Sequence, residues 1–417
     1  MGSTDRHSSL ELFRKAEGNN HIEFRQGQWE AIDAIINRRE RTLVVQRTGW
    51  GKSSVYFLAT RILRNHKYGP TLIISPLLAL IRNQIMTANR YGINAVTINS
   101  TNSQYWSEIE EKIFEDKVDV ILISPERLSN YEFIENIMPQ ITDKIGLFVV
   151  DEAHCISDWG HDFRPDYRKI VNILRQMPVN VRILGTTATA NKRVIKDIKE
   201  QLGFVQVQRG PLIRHSLALQ NLDLPSQASR MAWLAENIRF IPGSGIIYTL
   251  TKRDAENLST WLQQQGISAY AYYSGVESAD DRNSNQYRSD LEEQLLNNKI
   301  KALVATTALS MGFDKPDLGF VIHFQAPSSI ISYYQQVGRA GRGIDNAYGI
   351  LMLGNEDEEI HEHFRNNAFP KESWVNTIID TIGNSDGISI GDLTKQINLK
   401  FNQIKGDYIL EYPFDAG

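Results

Sequence analysis

Short unbroken apolar runs alternate along this chain with stretches whose apolar residues recur every three or four positions. Runs at 42–46, 71–75, 118–124, 147–150 and 181–184 have the length and β-branched content of strands buried on both faces. The stretch at 55–63 carries helical spacing, as does the one placing Ile32, Ala34, Ile35 and Ile36 together. Near Gln208-Arg-Gly-Pro-Leu212 the pattern breaks and a second series begins. Its strands are predicted at 244–251, 269–273, 301–307 and 320–324, with helices at 253–265 and 282–297. Strands that alternate with helices specify an α/β fold with parallel sheets, here two lobes in tandem. Residues 1–20 read as a polar segment with a short helical run near Leu10 to Lys15. Lobe 1 then spans 21–208, lobe 2 spans 209–354, and 355–417 is a small, mainly helical extension. In that extension Val375, Ile378, Ile379 and Ile382 have helical spacing, and Ile388, Leu393, Ile397, Phe401 and Ile404 suggest two more short helices. A helix-turn-helix, an abbreviated winged helix and a helical cap on lobe 2 all fit.

Composition adds exclusions. At 417 residues, 41% hydrophobic and 23% charged, the chain has enough apolar material for two ordinary cores and belongs with globular proteins. It has no run of about 18 apolar residues and no apolar h-region in its first thirty, so neither membrane span nor signal peptide is expected. The expected location is inside the cell: cytoplasm or nucleoid in a bacterium, nucleus in a eukaryote. A formal net charge of −4 supplies no global field for nucleic acid, so any phosphate-binding track must be local. The single cysteine, Cys155, excludes a disulfide framework and a zinc site built from several thiolates, so no zinc is expected.

Candidate chemistry sits where predicted strands end. The strand at 42–46 leads into Arg47-Thr48-Gly49-Trp50-Gly51-Lys52-Ser53-Ser54 and then a helix. Strand, glycine turn and helix N-terminus form a phosphate cradle: backbone N–H groups and the helix dipole hold phosphates, Lys52 reaches the β and γ oxygens, and Ser53 ligates Mg²⁺. The strand at 147–150 ends in Asp151 and Glu152, one carboxylate to hold Mg²⁺ and its neighbour to orient water. At once there follows a loop with Trp159, His161, Phe163 and Arg164, rings beside a basic group that suit unpaired bases. Arg25 and Gln28 offer planar forks able to read an adenine edge. Far downstream, Gln335-Gln-Val-Gly-Arg339-Ala-Gly-Arg342 places two arginines three apart, and such groups can face one phosphate and stabilise transition-state charge.

Asp151-Glu-Ala-His-Cys-Ile-Ser-Asp-Trp-Gly-His-Asp-Phe-Arg-Pro165 resembles motif II and the aromatic-rich loop of RecQ-family DNA helicases in helicase superfamily 2. Other motifs follow in the family's order over about residues 21–353. Phe24-Arg25-Gln-Gly-Gln28 resembles motif 0, with His21 where the family carries an aromatic ring. The phosphate loop has Gln46 for the first glycine and Arg47 for the usual proline. Ser75-Pro76 and Ser124-Pro125-Glu126 resemble motifs Ia and Ib, Gly185-Thr-Thr187-Ala-Thr189 resembles motif III, and Thr306 to Pro316, with Gly312 and Asp314, resembles motif V. The resemblance implies two RecA-like lobes with ATP and Mg²⁺ in the cleft between them. Thr48, Gly49, Gly51, Lys52, Ser53, Ser54, Arg25, Gln28, Gly312 and Asp314 would bind nucleotide; Ser53 and Asp151 would hold the metal. Lys52, Asp151, Glu152, Gln335, Arg339 and Arg342 would carry catalysis, with Arg342 as the finger. Ser75, Pro76, Pro125, Glu126, His154, Trp159, His161, Phe163, Arg164, Thr187 and Thr189 would contact DNA or couple it to the nucleotide.

The function implied is translocation along single-stranded DNA from 3′ to 5′, with strand separation at forks, in DNA repair and recombination. The family's four-cysteine zinc module has no counterpart here, which leaves open a translocase that unwinds poorly. An RNA substrate and a nucleotide-gated regulatory subunit are the other two alternatives. Protein partners are not legible.

Overall fold

The computed structural model describes residues 4–76, 78–99, 102–130, 133–157, 165–178, 180–203, 206–276, 283–309, 313–368, 372–384 and 392–393. It forms two compact units, 1–353 and 354–417, and the first contains both lobes.

Lobe 1 runs α1 (Arg6–Glu17), α2 (Gln28–Ile36), β1 (Thr42–Val45), α3 (Lys52–Asn65), β2 (Thr71–Ile74), α4 (Leu78–Arg90), β3 (Ala95–Ile98), α5 (Trp106–Phe114), β4 (Val120–Ile123), α6 (Met138–Ile141), β5 (Leu147–Val150), α7 (Ile170–Gln176), β6 (Arg182–Thr187), α8 (Lys192–Leu202) and β7 (Gln206–Arg209). Its seven strands are parallel in the order β3-β4-β2-β5-β6-β1-β7. Strands β1, β2, β4 and β5 are buried along their whole length, which explains their unbroken apolar sequence. Helices cover both faces and split the core into two clusters, one around Phe148, Tyr167 and Ile170, the other around Ile32, Tyr56 and Phe57.

Lobe 2 runs β8 (Leu217–Asp223), α9 (Gln227–Asn237), β9 (Gly245–Tyr248), α10 (Lys252–Gln264), β10 (Ala269–Tyr272), α11 (Ser284–Leu296), β11 (Ala302–Ala305), β12 (Phe320–His323), α12 (Ile330–Val337) and β13 (Ala347–Leu353). Its six strands are again parallel, ordered β10-β11-β9-β12-β13-β8. Hydroxyl caps start its helices: Thr251 accepts from the Asp254 amide on α10, and Ser329 from the Ser332 amide on α12. The α/β fold with two tandem parallel-sheet lobes is therefore as expected.

The order of lobe 1 positions its chemistry. Strand β6 lies between β1 and β5, so the turn after β1 and the acids after β5 emerge at one carboxyl edge with the end of β6 between them. Open α/β sheets bind ligands at such an edge, where the strand order reverses.

The short helical run expected near Leu10 to Lys15 lies within the longer α1, so residues 1–20 are more than a polar segment. Helix α1 is amphipathic, begins at a side-chain cap from Asp5, and buries Leu10 and Phe13 in the lobe 1 core. In the second unit, α13 (Asp357–Ala368) and α14 (Glu372–Gly383) are present; Ile378 is buried and Ile379 is 48% exposed. Ile388, Ile397, Phe401 and Ile404 lie outside the described residues. No helix among the described residues is long and apolar enough to cross a membrane.

Candidate active site

The turn after β1 is held open by two glycines in the left-handed region, Gly49 at φ 73° and Gly51 at φ 94°. A Cβ on Gly51 would come within 2.6 Å of the Gln28 amide nitrogen, and one on Gly49 within 3.1 Å of Arg342 Cγ. Helix α3 starts directly after Gly51 with no side-chain cap, which leaves its first N–H groups for a ligand. Lys52 Nζ donates to the Gln46 carbonyl at 3.1 Å. Burial pulls its ammonium pKa down while the charges of Glu152 and Asp151 hold it up. Ser53 lines the same cleft, whereas the Ser54 hydroxyl donates to Glu17 of α1 at 3.3 Å.

Arg25 and Gln28 brace this turn. Arg25 Nη1 donates to the Gly49 carbonyl. Gln28 accepts from the Arg25 amide at 2.8 Å and donates to the Trp50 carbonyl at 3.0 Å, so its fork is engaged by backbone. His21 is exposed, and Phe13 and Ile22 are among the apolar residues that line the cleft.

Asp151 is 6% exposed. Its Oδ1 accepts from the Thr186 hydroxyl and the Glu152 amide, its Oδ2 from Gln84 Nε2 at 2.6 Å. Gln84 Nε2 also donates to Tyr56 Oη at 2.9 Å. Burial first, and the Glu152 charge second, raise the Asp151 pKa to about 6. Gln84 Oε1 is buried and finds no hydrogen-bond partner among the described residues. A hydroxyl, a carboxylate and an orphaned acceptor in one cleft fit Mg²⁺, which binds oxygen, keeps several waters and takes the rest of its shell from phosphate. Among the described residues there is no cluster of three or more histidine, cysteine or acidic side chains that would hold a metal by itself.

Glu152 adopts the left-handed conformation at φ 49°, and its Oε2 lies 3.2 Å from His154 Nδ1. That nitrogen is 3.0 Å from Thr187 Oγ1, which in turn accepts from the Thr189 amide at 3.1 Å. A chain of contacts thus leads from Glu152 to the loop after β6.

Lobe 2 closes the cleft, a cavity of about 470 Å³. Gln335, Arg339, Arg342 and Asp314 line it opposite Lys52, Asp151 and Glu152. The two arginines diverge. Arg342 Nη1 donates to Asp314 Oδ1 at 2.7 Å, whereas Arg339 is 6% exposed and donates to the Phe313 carbonyl at 2.8 Å. Thr48 of the phosphate loop donates through its hydroxyl to the Gly338 carbonyl at 2.9 Å.

Of the residues expected to contact DNA or couple it to the nucleotide, several are packed inside the lobe. Ser75, Pro76 and Pro125 are buried where their strands end, and His154 and Thr187 are fully buried between sheet and loop. Burial leaves His154 and Thr187 to the coupling half of the expected role, through the contacts that join Glu152 to Thr189. Glu126 is exposed and Thr189 half-buried. Trp159, His161, Phe163, Arg164 and Gly312 lie outside the described residues.

Sequence reasoning missed Gln84, Tyr56, Thr186, Phe13 and Arg214. A hydroxyl directly before Thr187 was the only local signal for any of them. The others reach the cleft from distant elements.

Residues 25–198 match the DEAD/DEAH box helicase family, and residues 230–343 the helicase conserved C-terminal domain. The chain is 36% identical over 345 residues to the ATP-dependent DNA helicase RecQ of Bacillus subtilis, a match covering 80% of this chain and 54% of that protein. It is 32% identical over 431 residues to the putative ATP-dependent DNA helicase Q1 of Caenorhabditis briggsae, covering 92% and 67%. The chain thus spans about half to two-thirds of the length of these relatives. Its fold is similar to that of S. cerevisiae Dbp5 bound to RNA and ADP BeF3, with TM-score 0.66 and 19% identity over 85% of this chain and 91% of that one.

Proposed function

Since the chain belongs to the RecQ family of helicases, we propose that it hydrolyses ATP between its two lobes and uses the cycle to move 3′ to 5′ along single-stranded DNA, parting the strands at a fork. The observation that carries this proposal is the convergence of Lys52, Ser53, Asp151 and Glu152 from lobe 1 with Gln335, Arg339 and Arg342 from lobe 2 on one cleft. Backbone N–H groups at the start of α3 and Lys52 hold the phosphates. Ser53 and Asp151 hold Mg²⁺, which when bound neutralises phosphate charge and fixes its geometry. Glu152 orients the attacking water, and Arg342 stabilises charge that develops on the transferred group. Asp314 presets Arg342 by holding one edge of its guanidinium.

Coupling would run from Glu152 through His154 to Thr187 and the loop at Thr189. Trp159, His161, Phe163 and Arg164 follow the same acids in sequence and are proposed to meet the unpaired strand. The site of action would then be wherever the cell keeps its DNA.

The test is steady-state ATP hydrolysis with no nucleic acid, single-stranded DNA, duplex DNA or RNA, with Lys52→Ala as the blank, followed by unwinding of 3′-tailed and 5′-tailed duplexes. Stimulation by single-stranded DNA and unwinding of the 3′-tailed substrate support the proposal. Stimulation without unwinding reduces the chain to a translocase, stronger stimulation by RNA moves the substrate, and turnover indifferent to every nucleic acid leaves a regulatory ATP-binding protein.

A further inference from the structure

The segment between the lobes carries Arg214, whose guanidinium reaches both of them. Nη1 donates to the carbonyls of Gly338 at 2.7 Å and Ala340 at 2.6 Å, in the turn that leaves α12. Nη2 donates to the carbonyl of Thr48 and, at 2.9 Å, to its hydroxyl, in the phosphate loop. The Thr48 hydroxyl itself donates to Gly338 O, so one guanidinium and one hydroxyl close a ring of hydrogen bonds across the cleft. The flanking backbone is pinned on both sides: Arg47 Nη1 donates to Ile213 O at 2.9 Å, Tyr334 Oη to Leu212 O at 3.1 Å, and Ser216 Oγ to Gly341 O at 2.7 Å.

The four hydrogen bonds of Arg214 all end on uncharged oxygens. Burial first, and then the charges of Arg342, Arg47 and Arg25, pull its pKa down to about 10, while Asp345 lines the same cavity. Ion pairing therefore does not account for these four contacts. Five N–H donors in a rigid planar fork explain them, because no other side chain carries enough donors for four acceptors on two facing loops.

We propose that Arg214 is the positioning residue of the ATP cleft: by tying Thr48 to the turn at 338–342, it sets the register at which Arg339 and Arg342 meet the phosphate loop before nucleotide arrives. That register is tight, since a Cβ on Gly49 would already touch the Arg342 side chain. The inference rests on the ATPase activity proposed above, and its test separates the two. Spin labels at Glu111→Cys in lobe 1 and Gln264→Cys in lobe 2, both exposed positions, report the interlobe distance without nucleotide; Cys155 is buried and stays unlabelled.

With Arg214 intact the distance distribution is expected to be narrow. Arg214→Gln should broaden it and lower kcat about 100-fold, the scale of a displacement of about 1 Å at a reacting centre. Affinity for a fluorescent ADP analogue, held by Lys52 and Ser53 of lobe 1, should change less than about threefold, within the scatter of such contacts. Arg214→Lys keeps a cation but cannot span both loops, so it should behave like the glutamine variant, and it carries the test if that variant does not fold. A distribution that stays narrow in both variants, a lysine that restores both readouts, or a loss of ADP affinity equal to the loss of kcat would overturn the proposal. Failure of the unsubstituted protein to hydrolyse ATP would sink the ATPase activity instead, while the distance measurement still judges Arg214.

Discussion

Replacing Gln84 with leucine tests whether the buried Asp151 carboxylate depends on a side chain that no motif announces. Gln84 Nε2 donates to Asp151 Oδ2 at 2.6 Å and to Tyr56 Oη at 2.9 Å, and Gln84 and Asp151 are 3% and 6% exposed. Leucine is close in volume, so the change removes hydrogen bonds and leaves little cavity. A bond to a charged group is worth about 1.5–3 kcal/mol and a neutral one about 0.5–1.5 kcal/mol. Two terms moderate the loss: Asp151 keeps the Thr186 hydroxyl and the Glu152 amide, and leucine also removes the unpartnered Oε1. The net cost should be about 2–4 kcal/mol in the stability of lobe 1 at pH 8, where an acid with a pKa of about 6 is still ionised. Urea unfolding followed by tryptophan fluorescence measures it. Gln84→Leu combined with Thr186→Val should be non-additive by about 0.5–3 kcal/mol, because both substitutions act on one carboxylate. If Gln84 Oε1 accepts from a metal-bound water, the Mg²⁺ concentration for half-maximal turnover should also rise about tenfold. A stability change under about 0.5 kcal/mol, with additive double-mutant energies, would refute the reasoning.

Three further outcomes follow from the cleft and its surroundings. Gly51→Ala puts a Cβ 2.6 Å from the Gln28 amide at φ 94°, so ATP affinity should fall about tenfold or more, the equivalent of about 1–2 kcal/mol of strain; an ATP titration within twofold of the parent would exclude it. Arg342→Ala should lower kcat about 10³-fold or more with ADP binding nearly unchanged, and equal losses in both would mean that Arg342 acts only in nucleotide binding. His323 stacks on Tyr248 with ring centroids 5.5 Å apart, lies 5.0 Å from the Tyr333 ring, and has its pKa pulled by burial from 6.5 to about 4. The unfolded chain therefore takes up a proton at pH 4–6.5 that the folded chain refuses, so this contribution to stability is whole above pH 6.5 and is lost as pH falls towards 4. Between pH 7.5 and 5 the loss is about 2 kcal/mol, and His323→Phe should abolish that part of the pH dependence in urea melts.

The amino-acid sequence by itself determined the elements whose physics is local. Strands β1, β2, β4 and β5 are buried on both faces and so are apolar throughout; the glycine turn before α3 and the acids after β5 lie next to the strands that present them. Edge strands escaped notice: β7 is mostly polar, and both β7 and β8 are largely exposed at the ends of their sheets, where no unbroken apolar run is needed. Helix α1 was legible only in part, as the run near Leu10 to Lys15, since Leu10 and Phe13 are the apolar residues that mark its buried face. Tertiary structure alone decided who meets whom. Gln84 comes to Asp151 across 67 residues, Arg214 to Thr48 across 166, and Arg342 to Asp314 across 28. It also decided that Ser75, Pro76, Pro125, His154 and Thr187 are buried. The physical reason is that composition and periodicity report how each residue meets solvent or its near neighbours. A hydrogen bond between distant loops depends on strand order, and strand order is set by the packing of the whole lobe.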